Sequence, residues 1–118
     1  MVQHKRAIFT LTAFNLDVLL RELKCIVNGH NITIEVTNRT NGETVQARQH
    51  NCHFFRGKNK FVDDFIGFMC DEEIETEMLS EIFIGDTIEI SGYDEIKVRS
   101  TSTDGSVTYH IKAEENAA

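Results

Sequence analysis

The chain has no proline, no internal repeat and no linker-like stretch, so nothing along its 118 residues marks a boundary between domains. That length suits one domain with a core large enough to stand without a metal or disulfide staple. Cysteine is scarce: Cys25, Cys52 and Cys70 show no paired spacing, which argues against a disulfide framework and reads as reduced thiols in a cytoplasmic protein. Apolar runs are only a few residues long and no charged-plus-apolar leader opens the chain, so neither membrane spanning nor secretion is expected. Asn31-Ile32-Thr33 matches a glycosylation acceptor, which matters only for a secreted chain. No glycine-rich phosphate cradle is present either.

The most informative absence is one of charge. Between Asp63 and Glu95 there is no lysine or arginine, while twelve carboxylates fall in that stretch. Just before it, Ala47 to Lys60 holds Arg48, Arg56, Lys58 and Lys60 and no acid. A block of one sign attracts cationic partners and repels nucleic acid and anionic lipid. The net charge of −7 points the same way, since a general nucleic-acid binder gains its affinity by neutralising phosphates. Hydrophobic residues at 41% and charged residues at 26% are those of an ordinary globular domain rather than a disordered one.

Periodicity gives the elements. Ala7 to Thr12 is β-branched and aromatic, a first strand. Leu16, Leu19, Leu20, Leu23, Ile26 and Val27 then fall at helical spacing, with Asn15 placed to cap the helix and Asn28-Gly29 to stop it. Alternation through Ile32, Ile34 and Val36, a turn at Asn41-Gly42 and a second strand over Thr44 to Gln49 make a hairpin. Residues 50 to 60 follow no period. Phe61, Phe65 and Phe68, and then Ile74, Met78 and Ile82, fit helical spacing and predict two short helices, with glutamates on the outer side of the second. Strands return at Thr87 to Ser91, Ile96 to Ser100 and Ser106 to Lys112, with a turn at Asp104-Gly105. The expected fold class is α+β: β-α-β-β-α(α)-β-β-β, an antiparallel sheet with helices packed on one face, one domain over residues 1–113 and a short tail over 114–118.

This order of elements resembles the histidine-containing phosphocarrier (HPr) family, an open-faced sandwich. Asn15-Leu16-Asp17-Val18 lies where that family has Gly-Leu-His-Ala, Val45-Gln46-Ala47-Arg48-Gln49 is similar to its third strand, and Ile84 to Ser91 (IGDTIEIS) is similar to its Gly-Asp-x-Ile-x-Ile strand. The resemblance puts Asp17 at the phosphoacceptor histidine and Gln49 at the regulatory serine. Leu19 and Leu20 replace the Arg-Pro that follows the histidine, residues 50 to 71 stand as an insertion, and a strand replaces the closing helix. It therefore implies a scaffold of that kind that has lost the usual phosphotransfer.

Three clusters carry candidate chemistry. His50, Cys52, His53 and Cys70 are good zinc ligands by type, but their spacing is not the paired form of zinc sites, and a loop with a partly buried cysteine and two exposed histidines is the simpler account of them. Arg48, Arg56, Lys58 and Lys60, interleaved with Phe54 and Phe55, suit a small anion, against a reading of the aromatics as core. The acidic residues Asp63, Asp64, Glu72, Glu73, Glu75, Glu77 and Glu81 form a partner-binding face in the expected helices, unless the basic segment folds back upon them. Cys52 beside His53 lacks the spatial arrangement of a nucleophile and base.

The reading from sequence is thus a small, acidic, non-enzymatic regulatory protein that needs no cofactor. It engages a basic protein partner through an acidic helical face, for instance as an inhibitor whose carboxylates imitate nucleic-acid phosphates. Direct nucleic-acid or membrane binding is not expected, and homo-oligomerisation through an exposed final strand such as residues 106–112 is compatible with it. The alternatives are a phosphocarrier-related regulatory module without the usual phosphoacceptor, and a metal-binding module.

Overall fold

The computed structural model describes residues 6–38, 40–58, 64–72, 79–92, 94–100 and 107–114. Among them the chain forms β1 (Arg6–Thr10), α1 (Leu16–Val27), β2 (His30–Asn38), β3 (Thr44–Gly57), β4 (Phe65–Met69), β5 (Glu81–Phe83), β6 (Thr87–Ser91), β7 (Glu95–Arg99) and β8 (Val107–Ala113). The strands make one sheet in the order β1-β6-β7-β8-β2-β3-β4-β5, with every neighbouring pair antiparallel.

The expected α+β sandwich, with several helices over one face and HPr-like packing, is overturned. One helix is present among the described residues and strands dominate. The error lies in residues 65–69, read as helical and found as β4. Phe-Ile-Gly-Phe-Met is apolar everywhere but at the glycine, so it satisfies a period of two as well as a period of 3.6. The strand prevails by burying Ile66 and Phe68 on one side and turning Phe65 and Met69 to the other. Ile82 and Phe83 likewise belong to β5. Residues 73–78, which carry the rest of the expected second helix, lie outside the described residues, as does the turn at Asp104-Gly105.

The first helix is as the spacing requires. Leu16, Leu19, Leu20, Leu23, Ile26 and Val27 are all buried and join the sheet's inner side chains in a single core. Burial of each such side chain stabilises by about 1.5–3 kcal/mol, so this stripe fixes the helix against β3, β2 and β4. Asn15 does not cap the helix with its side chain. Its Oδ1 instead accepts from the Thr12 N–H at 2.7 Å, and its Nδ2 donates to the Thr10 carbonyl at 2.8 Å, tying the β1–α1 connection. Cys25 is exposed, outside the helix's apolar stripe.

The sheet curls because its two edges are linked closely in sequence. Three residues (84–86) join β5 at one edge to β6, the neighbour of β1 at the other. Gly85 at φ +102° takes a backbone conformation open to glycine. Asp86, 1% exposed, accepts the Phe83 N–H on its carboxylate at 2.9 Å. The Leu11 N–H and the Asp86 carbonyl at 2.9 Å, and the Gly85 N–H and the Leu11 carbonyl at 2.8 Å, extend the β1–β6 ladder past this turn.

Candidate functional site

β3 is the longest strand, 14 residues, and it changes partner along its length. Thr44 to Gln49 and Cys52 pair with β2, while His53 to Gly57 pair with β4. Between these halves the register of β2 against β3 shifts, and Asn51 stands at φ +52°. One residue inserted into an alternating strand exchanges its faces. Gln49 is buried before the bulge and Cys52 and Phe54 after it, an odd offset that an uninterrupted strand forbids. This exchange is why residues 50 to 60 follow no single period in the sequence.

A polar network holds the bulge. The Asn51 N–H donates to Asn31 Oδ1 at 3.2 Å and its Nδ2 donates to Asp71 Oδ1 at 3.1 Å. The His53 ring lies 3.1 Å from both Asn28 Oδ1 and Asn51 Oδ1. Glu72 accepts the His50 N–H at 2.9 Å and meets the His50 ring with its other oxygen. The His50 N–H and then the His50 ring hold the Glu72 carboxyl at about 2, well below its ordinary value.

Past the bulge, the outer face of β3, β4 and β5 is aromatic. Phe55 lies opposite Gly67, and Gly57 opposite Phe65, which in turn faces Phe83. The rings cover the glycines: a Cβ on Gly67 would stand 2.2 Å from Phe55 Cζ, and one on Gly57 would stand 2.3 Å from Phe65 Cζ. The Phe65 and Phe83 centroids are 6.0 Å apart at 48°, a tilted pair. Phe55 remains 39% exposed and Met69, opposite His53, 52%. Glu81 extends the Phe55–Gly67 row and is exposed, with no cation within ion-pair distance among the described residues. The patch is apolar, with a carboxylate at its edge.

The acidic run is not one face. Its carboxylates draw bases from distant strands: Asp64 takes Arg56 at 3.2 Å, Glu89 takes Arg6 at 2.8 Å, Glu72 takes His50, and Glu95 stands 4.0 Å from Lys112. The predicted acidic helical face therefore needs correction, because Glu81 lies on a strand and Asp64 and Glu72 are engaged within the fold. Asp63, Glu73, Glu75 and Glu77 lie outside the described residues.

The basic segment is dispersed too. Arg48 binds Glu114 at 2.7 Å, and Arg56 binds Asp17 at 2.8 Å as well as Asp64. Lys58 is exposed, and Lys60 lies outside the described residues. Arg48, Arg56 and Lys58 thus do not converge on one anion. Glu114, where the tail was expected to begin, is also fixed through its N–H to the Asn31 carbonyl at 2.8 Å. At the two positions singled out by the phosphocarrier resemblance, Asp17 is exposed in the Arg56 pair, and Gln49 is buried, accepting from Cys70 Sγ at 2.9 Å.

Of the four candidate metal ligands, Cys52 and Cys70 come together. Burial, and then the neighbouring Cys70, pushes the Cys52 thiol up to about 12. His50 and His53 are turned into the bulge network. Among the described residues no group of three or more His, Cys, Asp or Glu side chains is arranged to hold a metal ion. Among the described residues, no helix is long and apolar enough to cross a membrane.

This all-antiparallel curled sheet, with one packed helix among the described residues, defines the architectural class. Comparison with protein-family models, curated proteins and solved structures finds no match. The outward aromatic patch was missed from sequence because its phenylalanines were assigned to helices and core. The two glycines spaced against two phenylalanines, Phe55-x-Gly57 and Phe65-x-Gly67, are the signal that pointed to it.

Proposed function

We propose that this is a non-enzymatic binding protein that engages a basic protein segment through the outer face of β3, β4 and β5. The observation that carries the reading is the Phe55, Phe65, Phe83 and Met69 surface with Glu81 at its edge. Exposed contiguous apolar side chains on a small domain mark an interaction site, and aromatics and methionine are the residues enriched in such interfaces. The charged group at its edge is acidic, which favours lysine or arginine on the partner and disfavours a nucleic-acid phosphate. An apolar anchor on Met69 and Phe55 would supply affinity, while Glu81 and the overall charge of −7 would speed encounter. The raised Cys52 thiol supports the non-catalytic reading, since a nucleophilic cysteine needs the opposite shift.

The test compares the immobilised protein with a Met69→Glu/Glu81→Lys variant as bait at low salt. Proteins retained by the wild type alone, and released as salt rises, are expected to carry a basic segment. An identical set on both baits would overturn the proposal. Both substituted positions are exposed, so the thermal midpoint of the variant should stay within a few degrees of wild type.

A further inference from the structure

On the other side of the sheet's long axis, the outer surfaces of β1, β6, β7 and β8 form a groove of about 370 Å³. Its lining is Ile8, Thr87, Glu89, Lys97, Arg99 and Thr108. Cross-strand register explains the arrangement. Thr87, Arg99 and Thr108 stand in one row, so Arg99 has a threonine as its cross-strand neighbour on each side. Lys97 is two residues away on the same strand and face, a spacing of about 6.6 Å along the strand. Ile8, 60% exposed on the edge strand β1, forms an apolar wall.

The charges in this groove are unevenly committed. Glu89 stands opposite Lys97, but its carboxylate receives Arg6 Nε at 2.8 Å. Among the described residues, neither Lys97 nor Arg99 has a carboxylate within ion-pair distance. Every carboxylate-paired arginine elsewhere in the described chain (Arg6, Arg48, Arg56) is used to hold the fold together. In a chain of net charge −7, two unpaired cations on adjacent outward positions of one strand, flanked by hydroxyl donors, need a reason. The planar fork of arginine suits a phosphoryl group, lysine adds a point charge, and threonine hydroxyls add neutral donors. Carboxylates elsewhere on the protein would repel an extended polyanion, which leaves a small ligand.

We propose that the groove between β1, β6, β7 and β8 binds a small phosphorylated molecule, with Arg99, Lys97 and the Thr87 and Thr108 hydroxyls taking the phosphoryl group and Ile8 covering a compact apolar portion. This site is independent of the aromatic face of β3, β4 and β5, and neither reading requires the other.

The probes are phenyl phosphate and inorganic phosphate, titrated into ¹⁵N-labelled protein and followed by amide shifts. Saturable shifts centred on Thr87, Lys97, Arg99 and Thr108 are expected, with phenyl phosphate the tighter of the two. Lys97→Gln/Arg99→Gln should weaken both by tenfold or more, as loss of about 1.4 kcal/mol or more of charge-assisted bonding implies. Ile8→Ser should weaken phenyl phosphate and leave inorganic phosphate unchanged. The site is overturned by any of three results: absence of saturation up to about 10 mM, which means a Kd weaker than the range of a built site; shifts spread equally over Lys24, Lys58 and Lys112; or a double variant that titrates like wild type.

Discussion

The two ends of the sheet share one core and differ on their outer faces. Across β1, β6, β7, β8, β2 and the first half of β3, outward residues are polar apart from Ile8: Thr10, Thr87, Arg99, Thr108, Thr37 and Thr44 fall in a single cross-strand row. Across the second half of β3, β4 and β5 the corresponding rows read Phe55–Gly67–Glu81 and Gly57–Phe65–Phe83. The first surface presents hydroxyls and charges to solvent, some of them paired with one another. The second covers itself, the Phe55 and Phe65 rings lying on the bare backbones of Gly67 and Gly57, as aromatic side chains do when they compensate for glycine in a strand. Inside, both ends present aliphatic and aromatic side chains to α1. A sheet can thus change the character of its outer surface without changing its core, provided one strand exchanges its faces at the join.

That join is Asn51, and breaking it should have the largest effect. At φ +52° a β-branched residue is strained, and the Asn51 side chain also bonds Asp71 and His53. Asn51→Val is expected to lower stability by about 2–3 kcal/mol, the sum of left-handed strain and lost polar contacts. Asn51→Gly keeps the backbone conformation and loses the contacts alone, at about 1 kcal/mol. Urea unfolding of the two variants separates the terms. Equal losses would mean that the positive φ is not what the bulge requires.

The self-covering end can be tested by a double-mutant cycle on Gly67 and Phe55. A Cβ at Gly67 must displace the Phe55 ring. Since that ring is partly exposed and can swing outward, Gly67→Ala should cost about 1–2 kcal/mol rather than the full cost of an overpacked core. In a Phe55→Ala background the same change should cost close to nothing, a coupling of about 1 kcal/mol. Additive losses would show that the ring does not rest on the glycine. The row Thr87–Arg99–Thr108 has no glycine and should show no comparable coupling.

The polar-faced end was legible in the sequence because its strands alternate. Ile32, Ile34 and Val36, Ile88 and Ile90, and Ile96 and Val98 are each separated by an outward polar residue, and all are buried as that pattern requires. The helix stripe from Leu16 to Val27 was legible for the same reason at its own period. The other end was not, because side chains apolar on both faces erase the contrast from which a period is read. Phe65 to Met69 therefore passed for a helix, and the error carried the carboxylates around it onto a helical face that does not exist among the described residues. Charge misled in a related way. A run without lysine or arginine looks unrelieved along the chain, yet Arg6 and Arg56 reach Glu89 and Asp64 from other parts of the fold. Sequence order reports charge density along one dimension, and pairing takes place in three. The groove at Lys97 and Arg99 escaped notice because its six lining residues come from four strands, and only the register brings them together.

The smallest expected effect concerns pH, and it separates the bulge from the rest of the polar surface. The Glu72 carboxyl sits at about 2 in the folded protein, against an ordinary value of 4.5, chiefly because it accepts the His50 N–H and then the His50 ring. A depressed carboxyl favours the folded state above the higher of these values, and that contribution is lost as the pH falls toward the lower one. Glu72→Gln removes the titration and keeps a neutral acceptor. The urea midpoints of wild type and variant should therefore differ at neutral pH and converge between about pH 4.5 and pH 2. The pair is solvent-accessible, so the difference should be small and should shrink in high salt. A difference independent of pH across that window would place the role of Glu72 in the shape of its side chain, leaving the bulge held by Asn51 and its neutral partners.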